Sequence, residues 1–430
     1  MSSFFVMPSE VAEHSLTFCH PRDVAAFSQT CRRAHALIYK ATDQYLWRSL
    51  FLRYPFDDPR KAVGASPTSE FDWSGKLKRR VFAETIARQG GDRHELLDAL
   101  LECIEEAAPL SLGREHEHSH NISWVEEILI ESDTLALEPE FTESEKLARL
   151  RAHLALSLEP GVGTAAPERV KAFRRISRIF VYDLRNYLAE CQWGPFTARA
   201  EGVYWAHVNA IVNVITMNLR DFGIQWPRDF KPPLSVYGLQ ATRAYSAPDT
   251  LKRSPLDWAG VEGYWMRIVC FCDYRDLIRF NASGWRAGFF DDEYEEASRL
   301  LRLNLRLVSV ETDPEVLAKL PDPTRPPITF GGTMRGFNAE EQLDRAVRGT
   351  VRVMPDGNIR WSFTSIYDSH DQWSSEGVQI GGVCSAAGVV GAWTGAYHEH
   401  GDPAGKHPCR YRPFWLFKAN EATPKASWPE

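Results

Sequence analysis

The sequence predicts an α+β multidomain fold: an N-terminal three-helix bundle, a central helical region, and a C-terminal antiparallel β barrel or sandwich. Three observations carry that prediction. Apolar residues first recur at helical spacing in short blocks broken by Pro8 and Pro21. Longer blocks of the same period follow. Beyond Pro255 the period falls to two, with turn residues between the blocks. The domains expected are a bundle over 2–54, a helical region over 70–222 and a β domain over 255–420.

In the first block Val11, Leu16, Val24, Phe27, Leu37, Ile38, Leu46 and Leu50 form the apolar faces. Pro21 suits a first helical turn, where its missing N–H is not needed, and Asp23 beside it favours the helix dipole. A bundle of about 50 residues buries too little apolar surface to be stable alone, so it requires a partner or a neighbouring domain. The stretch from Asp57 to Ser69 reads as a linker. The basic run Lys76–Arg80 reads as a solvated helix face rather than a nucleic-acid patch. Leu96, Leu97, Leu100, Leu101 and Ile104 line one helix face behind the capping pair Asp92 and Glu95. Ser111 to Asn121 reads as a polar loop, and Thr142 with Glu145 repeats the capping pattern. Pro167 opens a further helix, and Val203 to Leu219 forms another that stops before Gly223.

Arg345 to Phe363 alternates apolar and polar residues across Pro355-Asp356-Gly357-Asn358, a hairpin signal. Strand-like runs also occupy Tyr264–Cys272, Arg302–Val310, Ile328–Thr333, Gly377–Gly381, Val389–Tyr397 and Phe414–Lys418. That series fits a barrel or a sandwich, and the barrel is preferred. Glycines from Gly377 to Gly395 suit bends in a curved sheet.

The 430 residues carry a net charge of −7, so no global field favours phosphate backbones. No apolar run reaches the roughly 18–20 residues of a membrane span. The start lacks a secretory pattern and the eight cysteines are scattered, so the expected location is the cytoplasm and/or nucleus. The Asn121 and Asn281 sequons are then expected to stay unmodified.

The segment Met7–Leu50 resembles an F-box. The matching residues are Met7-Pro8 with Glu10, then Leu16 and Phe18, then Asp23-Val24 behind a proline. Phe27-Ser28 leads into Cys31-Arg32, and Leu37 with Leu46-Trp47 completes the pattern. Met7 stands where the family commonly has Leu, and Ala34 or His35 where an aromatic often follows Cys-Arg. The resemblance implies binding to a Skp-type adaptor and, through it, a cullin, with Pro8, Glu10, Leu16, Val24, Leu46 and Trp47 as the adaptor-binding residues. The other reading of these side chains is that they close the bundle. Glu376–Gly382 with Gly388–Thr394 resembles the β domain found behind F-boxes in some fungal proteins, and Gly263-Tyr264-Trp265 resembles the Gly-x-Trp opening of lipocalin-like barrels.

Eight tryptophans lie beyond Pro255: Trp258, Trp265, Trp285, Trp361, Trp373, Trp393, Trp415 and Trp428. Trp361, Trp373, Gln379 and Trp393 are the candidates for a ligand or substrate surface, with Ser365–Ser375 and His398–Pro413 as a recognition rim. No Gly-x-Ser-x-Gly elbow occurs, and Gly401–His407 is one residue short of a phosphate loop and ends in His407. His398, His400, His407 and Cys409, like His116, His118 and His120, lack recognised zinc spacing and read as loop residues. Cys270 and Cys272 share one strand face and read as buried packing.

The functional reading is therefore a non-catalytic substrate-recognition adaptor of a Skp–cullin–F-box ubiquitin ligase, with no cofactor or metal. Its partners are the adaptor, the cullin behind it and an unidentified protein substrate, not nucleic acid or membrane. The alternative is a small-ligand-binding β barrel with a structural helical N-terminus.

Overall fold

The computed structural model describes residues 7–41, 43–54, 56–63, 71–110, 117–135, 144–155, 167–222, 238–249, 253–284, 288–290, 294, 296–336, 344–398 and 411–419. The chain forms two compact units, Met1–Pro109 with His116–Leu135 and Leu110–Glu115 with Ala136–Glu430. The helices expected as one region over 70–222 are shared between them.

The first unit contains helices α1 (Ser9–Leu16), α2 (Pro21–Ser28), α3 (Arg32–Tyr39), α4 (Tyr45–Arg53), α5 (Trp73–Gln89), α6 (Arg93–Glu105) and α7 (His120–Glu131). The three expected bundle helices are α1–α3, and α4 follows them within 2–54. Local chemistry sets the helix starts. Pro21 opens α2, where the His20 ring nitrogen accepts from the Arg22 N–H at 3.1 Å. Asp92 caps α6 by accepting from the His94 N–H at 2.8 Å, as its sequence position implied. Leu50 and Phe51 of α4, Leu77 of α5, Leu97 and Leu100 of α6, and Val125 of α7 are buried in the core.

Two loop expectations change. Asp57, read as the start of a linker, is a buried anchor: its carboxylate accepts from the N–H of Ala108 (2.8 Å) and His120 (2.9 Å) and from the Ser119 hydroxyl. Asn121, read as the end of a polar loop, lies fully buried in the first turn of α7. Its amide donates to the Cys103 carbonyl at 3.1 Å, and its oxygen accepts from the Asp57 N–H at 3.0 Å. Short polar residues read as loop whenever the partners that bury them are distant in sequence.

The second unit has helices α8 (Glu145–Ala155), α9 (Pro167–Tyr182) and α10 (Trp205–Phe222), then strand β1 (Gly263–Phe271) and helix α11 (Tyr274–Ala282). Strands β2 (Ala297–Val310), β3 (Ile328–Gly336), β4 (Arg345–Val353), β5 (Ile359–Tyr367), β6 (His370–Gln379), β7 (Val389–Gly395) and β8 (Arg412–Lys418) complete it, with the short α12 (Pro314–Leu317) after β2. Thr142 lies outside the described residues. Ser144 accepts from the Leu147 N–H at 3.3 Å, while the Glu145 carboxylate accepts from the Trp205 N–H at 2.7 Å, at the start of α10.

The eight strands form a closed antiparallel barrel in sequence order, β1 pairing with both β2 and β8. A closed ladder leaves no sheet edge, and it decides barrel over sandwich. Directly paired residues share a face, so Trp265↔Leu303, Val351↔Trp361 and Trp361↔Gly377 propagate one inner face around the ring. Rings on non-adjacent strands meet across that interior: Trp265–Trp361 at 5.1 Å and Phe363–Phe414 at 5.7 Å between centroids. On the outer face Met266, Ile268, Val390, Trp415 and Phe417 join one apolar core with Val208, Ile211, Val212 and Ile215 of α10. Strands β7 and β8 are consequently buried at every position.

The turns follow residue chemistry. In the β4–β5 connection Gly357 takes φ +83°, and the Met354 N–H donates to the Asn358 carbonyl at 2.8 Å. Ser365–Ser375, expected as a recognition loop, is instead the β5–β6 hairpin, turned tightly by Asp368 and Ser369 at φ +47° and +67°. Polar residues on a hairpin with one solvated face read as loop from composition alone.

Candidate functional site

The six N-terminal candidates fall into two groups. Pro8 and Glu10 are exposed, whereas Leu16, Val24, Leu46 and Trp47 are buried within the unit. Trp47 is only 7% exposed; its indole N–H donates to the Ile38 carbonyl at 3.1 Å and its ring stacks on Tyr39. The Lys78 ammonium lies 4.7 Å from the Trp47 ring and 4.6 Å from that of Tyr39. Leu16 and Val24 are 5% and 0% exposed, and Leu46 is 3% exposed.

The apolar surface left outside lies elsewhere. Val11, placed by its spacing on an apolar helix face, is 47% exposed, and Phe18 is 64% exposed. They are seven residues apart on and just past α1 and flank His14, whose ring nitrogen lies 2.9 Å from the Tyr45 hydroxyl. Phe18 packs edge-on to His14 and beneath the Arg53 guanidinium, 3.9 Å from its ring centroid. Pro8, Val11, Phe18 and Tyr45 thus make an outward apolar stripe with Glu10 beside it. Among protein-family models, the one for the F-box domain matches residues 4–41. This chain contains an F-box. No curated protein and no solved structure matches the chain. The matched F-box segment spans α1 to α3, and Phe18, quoted for the motif but not as a contact, is the most exposed large apolar side chain among its described residues.

The basic run behind the F-box is structural and only partly solvated. Lys76 pairs with Glu102 and Glu106, and Arg79 with Glu102 at 3.0 Å. Arg80 is fully buried; it donates to Glu106 at 2.9 Å and to the Asn121 oxygen at 3.2 Å, and lies over the Phe51 and Phe56 rings. Glu84, also buried, accepts from the Tyr54 hydroxyl at 2.6 Å and the Trp124 indole at 3.0 Å.

In the second unit Trp361, Trp373, Gln379 and Trp393 all occupy inward barrel positions, in two separate pairs. Trp361 and Gln379 sit toward the β4–β5 turn. There Trp361 packs on Trp265 and Phe330, and Gln379 donates to the Ser385 hydroxyl at 3.0 Å. Trp373 and Trp393 meet edge-to-face at 4.7 Å toward the opposite end. The residues that sequence reasoning missed are four inward arginines of that same half: Arg267, Arg299, Arg345 and Arg412. Their one signal was register, since each shares strand parity with an inward apolar neighbour such as Trp265 or Phe414.

His398 stacks flat on Trp193 at 3.8 Å, while His400, His407, Cys409 and the Gly401–His407 loop lie outside the described residues. His116 is likewise outside them; the His120 N–H binds Asp57. Cys270 and Cys272 are buried in the core shared with α10, and burial pushes both thiols up to about 12. Among the described residues no helix is long and apolar enough to cross a membrane.

Proposed function

We propose that this F-box protein is a substrate-recognition adaptor of a Skp–cullin–F-box ubiquitin ligase. The observation that carries the reading is the F-box itself, folded with its apolar core closed and a second apolar stripe left outside. Pro8, Glu10, Val11, Phe18 and Tyr45 are the proposed contacts for the Skp-type adaptor, and a cullin joins through it. Large apolar side chains on such a face contribute most of an interface's binding energy. The C-terminal unit presents the surface that holds a protein substrate, and the ligase's conjugating enzyme supplies the chemistry. Effective concentration is then this chain's contribution to the reaction. A cytoplasmic or nuclear location follows from that role.

The test is capture of the full chain by a purified Skp-type adaptor, comparing wild type with a Val11→Asp, Phe18→Asp double variant. Both sites are exposed, so the variant is expected to keep its melting temperature and lose binding by at least about tenfold. A well-folded wild type that the adaptor does not capture would sink the proposal.

A further inference from the structure

Arg267 lies inside the barrel and is 2% exposed. Its only hydrogen-bond partner is the neutral Ser375 hydroxyl at 2.8 Å, its Nε has none, and no carboxylate pairs with it among the described residues. The Phe414 and Phe363 rings lie 4.7 and 5.0 Å from its guanidinium. Ring faces compensate a buried cation only in part, and burying an unpaired charge is costly. Three arginines buried elsewhere, Arg80, Arg178 and Arg360, each meet a carboxylate, Glu106, Glu296 and Glu376 respectively. Burial lowers the Arg267 guanidinium to about 9, so it remains charged at neutral pH.

Among the described strand positions, the charged side chains that share its inner face are basic. Arg299, Arg345 and Arg412 face inward in the same half of the barrel, and no inward strand position carries Asp or Glu. Two further buried donors in that half, the Trp393 indole N–H and the Ser365 hydroxyl, have no partner. Buried donors are normally satisfied, so three of them together mark a place for acceptor atoms. Tyr367 and Trp373 at that end are only partly buried. An eight-stranded barrel is about wide enough to be filled by side chains or to hold one small ligand.

We propose that this half of the barrel binds a small organic anion, a carboxylate with an apolar body, whose head group pairs with Arg267. The carboxylate supplies the missing counter-charge and acceptor oxygens, and the aromatic rings bury the body. The site is independent of adaptor docking by the F-box, so either can fail without the other.

The experiment titrates the full chain with decanoate and with decan-1-ol, which share an apolar body and differ in the head group, following tryptophan fluorescence. Wild type is expected to bind decanoate at least about tenfold more tightly, the worth of one charge-assisted hydrogen bond. Arg267→Met should abolish that preference, and Trp393→Phe should weaken decanoate alone. Equal affinity for both probes, binding of neither, or a preference surviving in Arg267→Met would overturn the site. So would capture of a peptide through its free C-terminal carboxylate without any binding of decanoate. Should Arg267→Met fail to fold, the wild-type pair and Trp393→Phe decide the question.

Discussion

Arg80 in the helical unit and Arg267 in the barrel are both buried arginines that lie over two phenylalanine rings, and they differ in what answers their charge. Arg80 reaches Glu106 and Asn121, within a group of residues where Asp57 and Glu84 also accept from donors distant in sequence. Among the described residues Arg267 reaches only a hydroxyl. The first arrangement specifies a fold, because each polar group is satisfied only when the helices are correctly assembled. The second, on the proposal above, serves a ligand rather than the fold. Burial of charge is therefore not informative by itself; the presence or absence of its partner separates architecture from function.

The comparison can be broken most sharply in the helical unit. Trp47→Ala removes a core ring together with its bond to Ile38 and should destabilise that unit by about 3–5 kcal/mol. Urea unfolding followed by circular dichroism measures this. A loss below about 1 kcal/mol would mean that Trp47 is not a core residue and would return it to the docking face. Arg80→Met leaves Glu106 without its buried partner and should cost about 2–4 kcal/mol by the same measurement. A neutral result would erase the distinction from Arg267.

A third case sharpens the contrast, since the barrel unit also buries ionisable groups by keeping them neutral. His153 and His207 are pulled from the ordinary 6.5 to about 3 by burial, with Arg149 adding to the effect at His153. Below pH 6.5 the unfolded chain takes up protons that the folded chain refuses. Stability from these groups is fully present above 6.5 and lost as pH falls toward 3, by up to about 1.4 kcal/mol per pH unit for each ring. Urea midpoints measured from pH 7 to pH 5 should fall accordingly, and His207→Gln should flatten the slope. A flat profile in wild type would show that both rings accept protons in place.

Much of the architecture was legible from residue pattern. The period-two runs gave the strands, and the turn Pro355–Asn358 gave the β4–β5 hairpin, because local chemistry decides both. Helix α11 was missed, since a nine-residue amphipathic segment inserted between strands has too few turns to declare itself. The F-box was legible as a motif, but the motif does not say which of its apolar residues face out. Leu16 and Phe18 are both large and apolar, and only the packing of α1 on its neighbours separates them. The inward arginines were illegible for a related reason: an arginine in an alternating strand reads as solvent-facing until barrel closure fixes which face is inside.

The division between paired and unpaired buried charge is tested most directly by Arg267→Met in equilibrium urea unfolding without ligand. With no carboxylate left stranded, the account predicts a barrel unit as stable as wild type or more stable, by about 1 kcal/mol. A loss of 2 kcal/mol or more, comparable to that expected for Arg80→Met, would contradict it and make Arg267 part of the architecture.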